Sequence, residues 1–137
     1  MIVLDTNVVS EPLRIEPSAR VLAWMAAQTD GYAVTAITLG ELWTGVHLLP
    51  PGQRRDGLTQ AMDDVLAGIA VRLPYDEKAA RIYAVFRQTA REAGRGLSVE
   101  DGMIAAVCAA HGARLATRNT TDFEFLPVPL LNPWDWS

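Results

Sequence analysis

The chain of 137 residues holds one cysteine, Cys108, and one lysine, Lys78, and each scarcity removes a class of chemistry. A lone cysteine forms no internal disulfide. With only two histidines, His47 and His111, far apart in the chain, there is no Cys/His set at zinc spacing. The Gly-Lys-Ser/Thr phosphate loop is missing, which excludes P-loop nucleotide hydrolysis. No stretch approaches the roughly 20 apolar residues that cross a bilayer, and the opening Met-Ile-Val-Leu-Asp has no basic segment leading into a long apolar run. These absences point to a cytoplasmic protein in a reducing compartment, with no membrane partner. An excess of positive charge is lacking too: the net charge of -4 does not announce a phosphate-binding surface. The basic residues are nevertheless eleven Arg to one Lys. Arg forks onto phosphates and stacks on bases, so RNA contact stays open beside the plainer explanation of a biased genome.

What is present suits a single globular domain over residues 1–137, since half of the residues are apolar and a fifth charged. No repeat or linker divides it. Ile2-Val3-Leu4 is an apolar run breaking into polar Asp5-Thr6-Asn7, which reads as a buried strand and the loop at its carboxyl end. Pro17-Ser18 opens a helical pattern through Val21, Leu22 and Met25. Tyr32 to Ile37 reads as a second strand, with Thr38 capping the helix that carries Glu41. Residues 53 to 69 have helical spacing, and Val71 to Leu73 reads as a short strand. Asp76 caps a long helix ending near Gly94-Arg95-Gly96, and Ser98 starts one whose Met103 to Cys108 segment is apolar enough to be buried. Arg114 to Thr117 is a predicted strand, residues 118 to 123 a loop, and Val128 to Leu131 an edge strand. Strands alternating with helices imply an α/β layer fold, with a central, mainly parallel sheet flanked by helices and a polar crevice at the carboxyl ends of its strands.

Four acidic residues stand where that crevice would form. Asp5 follows a strand directly, where a turn role competes with a chemical one. Glu41 lies three residues after Thr38, and Asp101 three after Ser98, so each also fits a capping box. Asp122 follows the last inner strand within Thr117-Arg118-Asn119-Thr120-Thr121-Asp122-Phe123. Two carboxylates ~5 Å apart repel by ~3 kcal/mol at an effective dielectric near 20. A fold that gathers them therefore needs a neutralising partner, and oxygen-only donors select Mg²⁺ or Mn²⁺ over zinc. Such an ion activates water and stabilises charge on a phosphate.

The opening Ile-Val-Leu-Asp-Thr-Asn, the middle Thr-Ala-Ile-Thr-Leu-Gly-Glu-Leu-Trp-Thr-Gly, Asp101 with Ile104-Ala105-Ala106, and Leu115-Ala116-Thr117-Arg118-Asn119-x-x-Asp122-Phe123 occur in that order. Together they resemble the PIN-domain ribonucleases, most closely the VapC/FitB-like toxins of bacterial toxin–antitoxin pairs, across nearly the whole chain. The resemblance implies a three-layer PIN-like fold and a Mg²⁺- or Mn²⁺-dependent endoribonuclease hydrolysing RNA phosphodiesters with metal-activated water. It implies metal ligands Asp5, Glu41 and Asp101, with the fourth polar position in the Asn119/Asp122 segment. Many relatives carry Asp where this chain has Asn119, so either residue can complete the site, and Asp122 is counted with the catalytic set. Thr6, Asn7, Thr117 and Asn119 are candidates for orienting those carboxylates or the substrate. The resemblance further implies a homodimer and inhibition by a cognate DNA-binding antitoxin, with operator DNA reached only through that complex. Arg87, Arg91 and Arg95 recur every four residues as a candidate RNA-binding stripe, against the plainer reading of a solvated helix face. Trp24 and Trp43 are expected to pack, while Trp134 and Trp136 either close the core or meet a partner. The rival readings are a phosphoacceptor or binding module using Asp5, which would want a late-strand lysine that this chain lacks, and a nuclease of DNA or of housekeeping RNA processing.

Overall fold

The computed structural model describes residues 1–137. Its centre is strand β1 (Ile2–Leu4), whose three side chains are all fully buried. A continuous apolar run, in place of alternation, is what a strand covered on both faces requires. Beside β1 lie β2 (Tyr32–Thr35) and β4 (Arg114–Ala116), with β3 (Val71–Leu73) and β5 (Leu130–Leu131) outside them. The order is β3-β2-β1-β4-β5, and every pairing is parallel.

Because side chains alternate across a strand, the sheet divides the apolar residues into two cores. Val3, Ala33, Leu73 and Leu115 belong to one, together with Ala79 and Phe86 of α5 (Glu77–Glu92) and Ile104 to Cys108 of α6 (Val99–Ala110). Ile2, Leu4, Val34 and Ala116 belong to the other. There they meet α1 (Thr6–Ser10), α2 (Ala19–Ala27), α3 (Ala36–His47) and α4 (Gln53–Ala67) through Val8, Val9, Trp24, Leu42, Val46, Met62 and Leu66. This is the expected three-layer arrangement, and the sheet is parallel throughout. Trp24 is buried and Trp43 packs at the edge of the same core. Trp134 also lies against that core, under the Arg118 guanidinium 5.1 Å from its ring centroid, so it closes the core, whereas Trp136 is more exposed.

The chain runs outward from β1 to β2 and β3, then returns across the sheet to β4 and β5. The reversal lies beside β1, where an open parallel sheet leaves a crevice above the carboxyl ends of its strands. Several local expectations are met: Ser18, Asp76 and Ser98 cap α2, α5 and α6 with their side chains. Others are corrected. Asp5-Thr6-Asn7 is no loop, because Asp5 is the N-cap of α1, its carboxylate accepting from the Thr6 N–H. The second strand stops at Thr35, not Ile37. Thr35, not Thr38, is the cap of α3, its hydroxyl accepting from the Thr38 N–H at 3.1 Å. The last strand is the short pair Leu130–Leu131, because the segment around Val128 turns back on itself through a Val128 N–H to Leu126 carbonyl bond.

Candidate active site

The two strands at the reversal set the first residues of the site. Leu4 pairs with Ala116, so the residues that follow, Asp5 and Thr117, emerge side by side at the carboxyl edge. The Asp5 N–H extends the ladder by donating to the Ala116 carbonyl at 2.9 Å. Both residues are buried. The Thr117 hydroxyl donates to Asp5 Oδ2 at 2.8 Å while accepting the Asn119 N–H at 3.1 Å, and the Thr6 N–H donates to Asp5 Oδ1 at 2.8 Å. One carboxylate is thus held at both oxygens, a constraint that fixes its plane.

Glu41 arrives from the neighbouring strand. Since β2 runs into α3 without a loop, the second turn of that helix overhangs the crevice, and Glu41 Oε1 accepts from the Thr6 hydroxyl at 2.9 Å. The capping box that the spacing allows Glu41 is therefore absent, and its carboxylate is engaged with a residue 35 positions away. Glu41 also forms a shared wall of two clefts. One, of about 360 Å³, runs over Leu13, Leu42, Leu58 and Met62; the other, of about 650 Å³, passes Gly40 and Thr44 to Glu100. Asp101 comes from the opposite layer, in the first turn of α6, where its N–H donates to the Ser98 hydroxyl at 3.1 Å. Asp122 sits in a 3₁₀ turn (Thr120–Asp122) after β4, between exposed Asn119 and fully buried Phe123.

These acids sense one another. Burial raises the Asp5 pKa, opposed by the hydroxyl of Thr117 and the N–H of Thr6, and the charge of Asp122 raises it further. Glu41, more exposed, is raised by what burial it has and by Asp5 and Glu100, against the Thr6 hydroxyl. Asp101 is pushed from 3.8 up to about 6 by partial burial first, then by Asp5, Asp122 and Glu41, with Ser98 opposing. None of the five forms an ion pair with any Arg or Lys. The donors are all oxygen, as a hard divalent ion requires. No three acidic, His or Cys side chains close into a ready-made metal clasp. What fits a cation here is the uncompensated negative charge and the fixed orientation of Asp5. Cys108 lies beneath, fully buried, its thiol pushed up to about 12 by burial and by Asp5, so it stays protonated and chemically idle.

The family model for the PIN domain matches residues 2–125. The chain belongs to the PIN-domain family. VapC ribonuclease Y4jK of Sinorhizobium fredii is 42% identical over 138 residues, covering 98% of this chain and 99% of the relative. Toxin FitB of Neisseria gonorrhoeae is 42% identical over 137 residues with the same coverage. The crystal structure of FitAcB from that organism matches with a TM-score of 0.92 at 40% identity, covering 98% of this chain and 99% of that one. VapBC-5 of Mycobacterium tuberculosis, a member of the VapBC family of toxin–antitoxin systems, matches with a TM-score of 0.72 at 30% identity, over 95% and 96% of the two chains. The resemblance to VapC- and FitB-like PIN proteins read from the motifs is borne out.

Within this PIN domain, Asp5, Thr6, Glu41, Asp101, Thr117 and Asp122 converge. Asn7 is exposed on α1 and makes only a backbone contact, its carbonyl accepting from the Ser10 hydroxyl. Asn119 enters the network through its backbone, and its side chain makes no capping bond. Two acidic residues were not anticipated. Glu100 lies beside Glu41 along the larger cleft, and its adjacency to Asp101 was the available signal. Glu11 is buried, but its carboxylate accepts from the Ser18 N–H at 3.0 Å and pairs with Arg14, so it serves the turn into α2. The arginine stripe is also revised. α5 ends at Glu92, and Gly94, at φ +64°, turns the chain so that the Arg95 N–H returns to the Ala90 carbonyl. Arg95 is therefore off the helix, and Arg87 donates to the Leu97 carbonyl. Arg91 alone of the three makes no side-chain hydrogen bond or ion pair. Lys78 sits in the first turn of α5, so no lysine follows a strand as a phosphoacceptor site would require. No helix is long and apolar enough to cross a membrane.

Proposed function

We propose that this PIN protein is the toxin of a toxin–antitoxin pair, a Mg²⁺- or Mn²⁺-dependent endoribonuclease restrained by a cognate DNA-binding antitoxin. The observation that carries the reading is the group of mutually repelling carboxylates, unpaired with any cation of the chain, at the sheet's topological reversal. Its relatives include proteins named as a ribonuclease and a toxin, which supports the substrate class and the biological role. Asp5, Glu41 and Asp101 are the residues that would hold the ion, and Asp122 would supply the fourth charge. A bound divalent ion supplies charge neutralisation and Lewis acidity at an RNA phosphodiester.

The chain's own residues do the rest. Thr117 and Thr6 hold the Asp5 carboxylate at its two oxygens, and Thr6 also steadies Glu41, so one threonine links acids carried by two different elements. Asp101, its carboxyl raised to about 6 by partial burial and by its acidic neighbours, would have to release its proton to hold a cation, which would make occupancy dependent on pH. Asn7 and Asn119, both exposed, would meet the RNA or orient water. Arg91 is the one member of the proposed basic stripe left free for an RNA phosphate. A homodimer, with operator DNA reached only through the antitoxin complex, completes the reading.

The test is cleavage of a mixed RNA substrate by the purified protein. Cleavage should require Mg²⁺ or Mn²⁺, stop in EDTA, and be abolished by Asp5→Asn and by Asp101→Asn with the circular dichroism spectrum unchanged. Undiminished cleavage by both variants would sink the assignment.

A further inference from the structure

Arg95 reads from the sequence as the last member of an RNA-binding stripe, but its surroundings give it another task. Gly94 swings it away from α5, and its guanidinium crosses to the turn that carries Asp122. There it donates to the Thr121 carbonyl at 2.7 Å, approaches Glu124 Oε1 at 3.5 Å, and lies 5.0 Å from the centroid of the Phe125 ring. The carbonyl it holds belongs to the peptide unit joining Thr121 to Asp122. The N–H of that same unit donates to the Asn119 carbonyl at 3.0 Å. One peptide plane is thus gripped at both ends, and the Cα of Asp122 is attached to it.

The rest of the turn is anchored in the same way. Upstream, the Asn119 N–H is held by the Thr117 hydroxyl that also holds Asp5; downstream, Phe123 is fully buried. Arg95 supplies the remaining restraint, on the outer side of an otherwise exposed turn. Its own loop is fastened too, since Arg87 donates to the Leu97 carbonyl, and Ser98 at the end of that loop caps the helix bearing Asp101. The segment from Gly94 to Ser98 therefore ties the mounts of Asp101 and Asp122 together.

We propose that Arg95 is a positioning residue, a clamp that sets Asp122 against Asp5 and Asp101, and not a contact for RNA. The inference rests on the metal-dependent reading of the same site. Misplacing a group that supports a metal or reacting centre typically costs 10- to 100-fold in affinity or rate. The experiment compares wild type, Arg95→Ala, Arg95→Lys, Asp122→Ala and the double variant Arg95→Ala/Asp122→Ala. Three quantities are read: Mn²⁺ binding by electron paramagnetic resonance without RNA, RNA affinity by anisotropy in EDTA, and turnover at saturating RNA with Mn²⁺.

Arg95→Ala is expected to weaken Mn²⁺ binding and turnover by ~10-fold or more, with RNA affinity and its salt dependence unchanged. Arg95→Lys, which keeps one donor for the Thr121 carbonyl, should recover most of both. In the Asp122→Ala background, Arg95→Ala should have no further effect on Mn²⁺ binding, which a merely structural role would not produce. The proposal is overturned if Arg95→Ala leaves Mn²⁺ binding intact, or if it weakens RNA binding with a shallower salt slope at unchanged saturated turnover. It is also overturned if the two substitutions act additively on Mn²⁺ binding. Because Mn²⁺ binding is measured without RNA, it tests the clamp even where wild type cleaves nothing, so failure of the clamp and failure of the ribonuclease reading are distinguishable.

Discussion

Replacing Asp101 by Asn should stabilise the metal-free protein at neutral pH, by an amount that acid removes. The folded carboxyl titrates near 6 and the unfolded one near 3.8, so the fold holds this proton longer than the unfolded chain does. Stability then falls as pH rises from about 3.8 through about 6, and is level above that. Each tenfold difference in proton affinity corresponds to about 1.4 kcal/mol, which puts a ceiling near 3 kcal/mol on the penalty of ionising Asp101. The side chain is only half-buried, and solvent screening takes at least half of that, leaving roughly 1 to 1.5 kcal/mol. The N-terminal turn of α6 favours the charged form by about 0.3–1 kcal/mol, which moves the expected gain to the lower end, about 1 kcal/mol.

For a chain of this size that gain is a rise of about 3 to 6 °C in Tm. The assay is thermal unfolding followed by circular dichroism in EDTA, at pH 7.5 and pH 4, for wild type and Asp101→Asn. The variant should melt higher at pH 7.5, and most of the advantage should vanish at pH 4, where the folded wild-type carboxyl is already neutral. Adding Mn²⁺ at pH 7.5 should reverse the order, because the ion stabilises the form that binds it better. A variant that melts at or below wild type in EDTA at pH 7.5 refutes the reasoning, as does an advantage of equal size at both pH values.

Mn²⁺ affinity should weaken steadily below about pH 6, where the ion competes with the proton on Asp101, and calorimetry at pH 5 and pH 7.5 measures the difference. Thr117→Val keeps the shape of a fully buried side chain but strips a donor from Asp5 and an acceptor from the Asn119 N–H. It should cost about 1.5–3 kcal/mol in urea denaturation at pH 7.5, with a smaller loss at low pH, where Asp5 is neutral. Asp122→Ala should lower turnover more than Asn119→Ala does, because Asp122 acts on Asp5 and Asp101 while Asn119 joins the network through its backbone; the opposite ranking makes Asn119 the fourth site residue. Cys108, buried with its thiol pushed up to about 12, should resist iodoacetamide at pH 8 in the folded protein and react in urea.

The parts legible in the sequence were those set by short-range chemistry. Ile2-Val3-Leu4 could only be a strand buried on both faces, and the Ser18, Asp76 and Ser98 caps satisfy N–H groups within three residues of themselves. The errors share a cause, which is competition from a partner distant in sequence or from a neighbouring backbone turn. Thr38-x-x-Glu41 has the spacing of a capping box, yet Thr35 closes the helix first, and the Glu41 carboxylate is taken by Thr6, brought beside it by the pairing of β1 with β2. Arg87, Arg91 and Arg95 have the spacing of a helical stripe, yet Gly94 ends the helix one turn early and delivers Arg95 to a carbonyl 26 residues away. Periodicity reports which face of a helix a residue would occupy and is silent on whether the helix lasts that long. The acidic positions carried the same ambiguity singly, as Asp5 shows by capping α1, and were read for that reason as a group. A single aspartate after a strand has many uses; what the fold adds is the reversal of strand order beside β1, which brings Asp5, Glu41 and Asp122 near enough for their charges to act on Asp101.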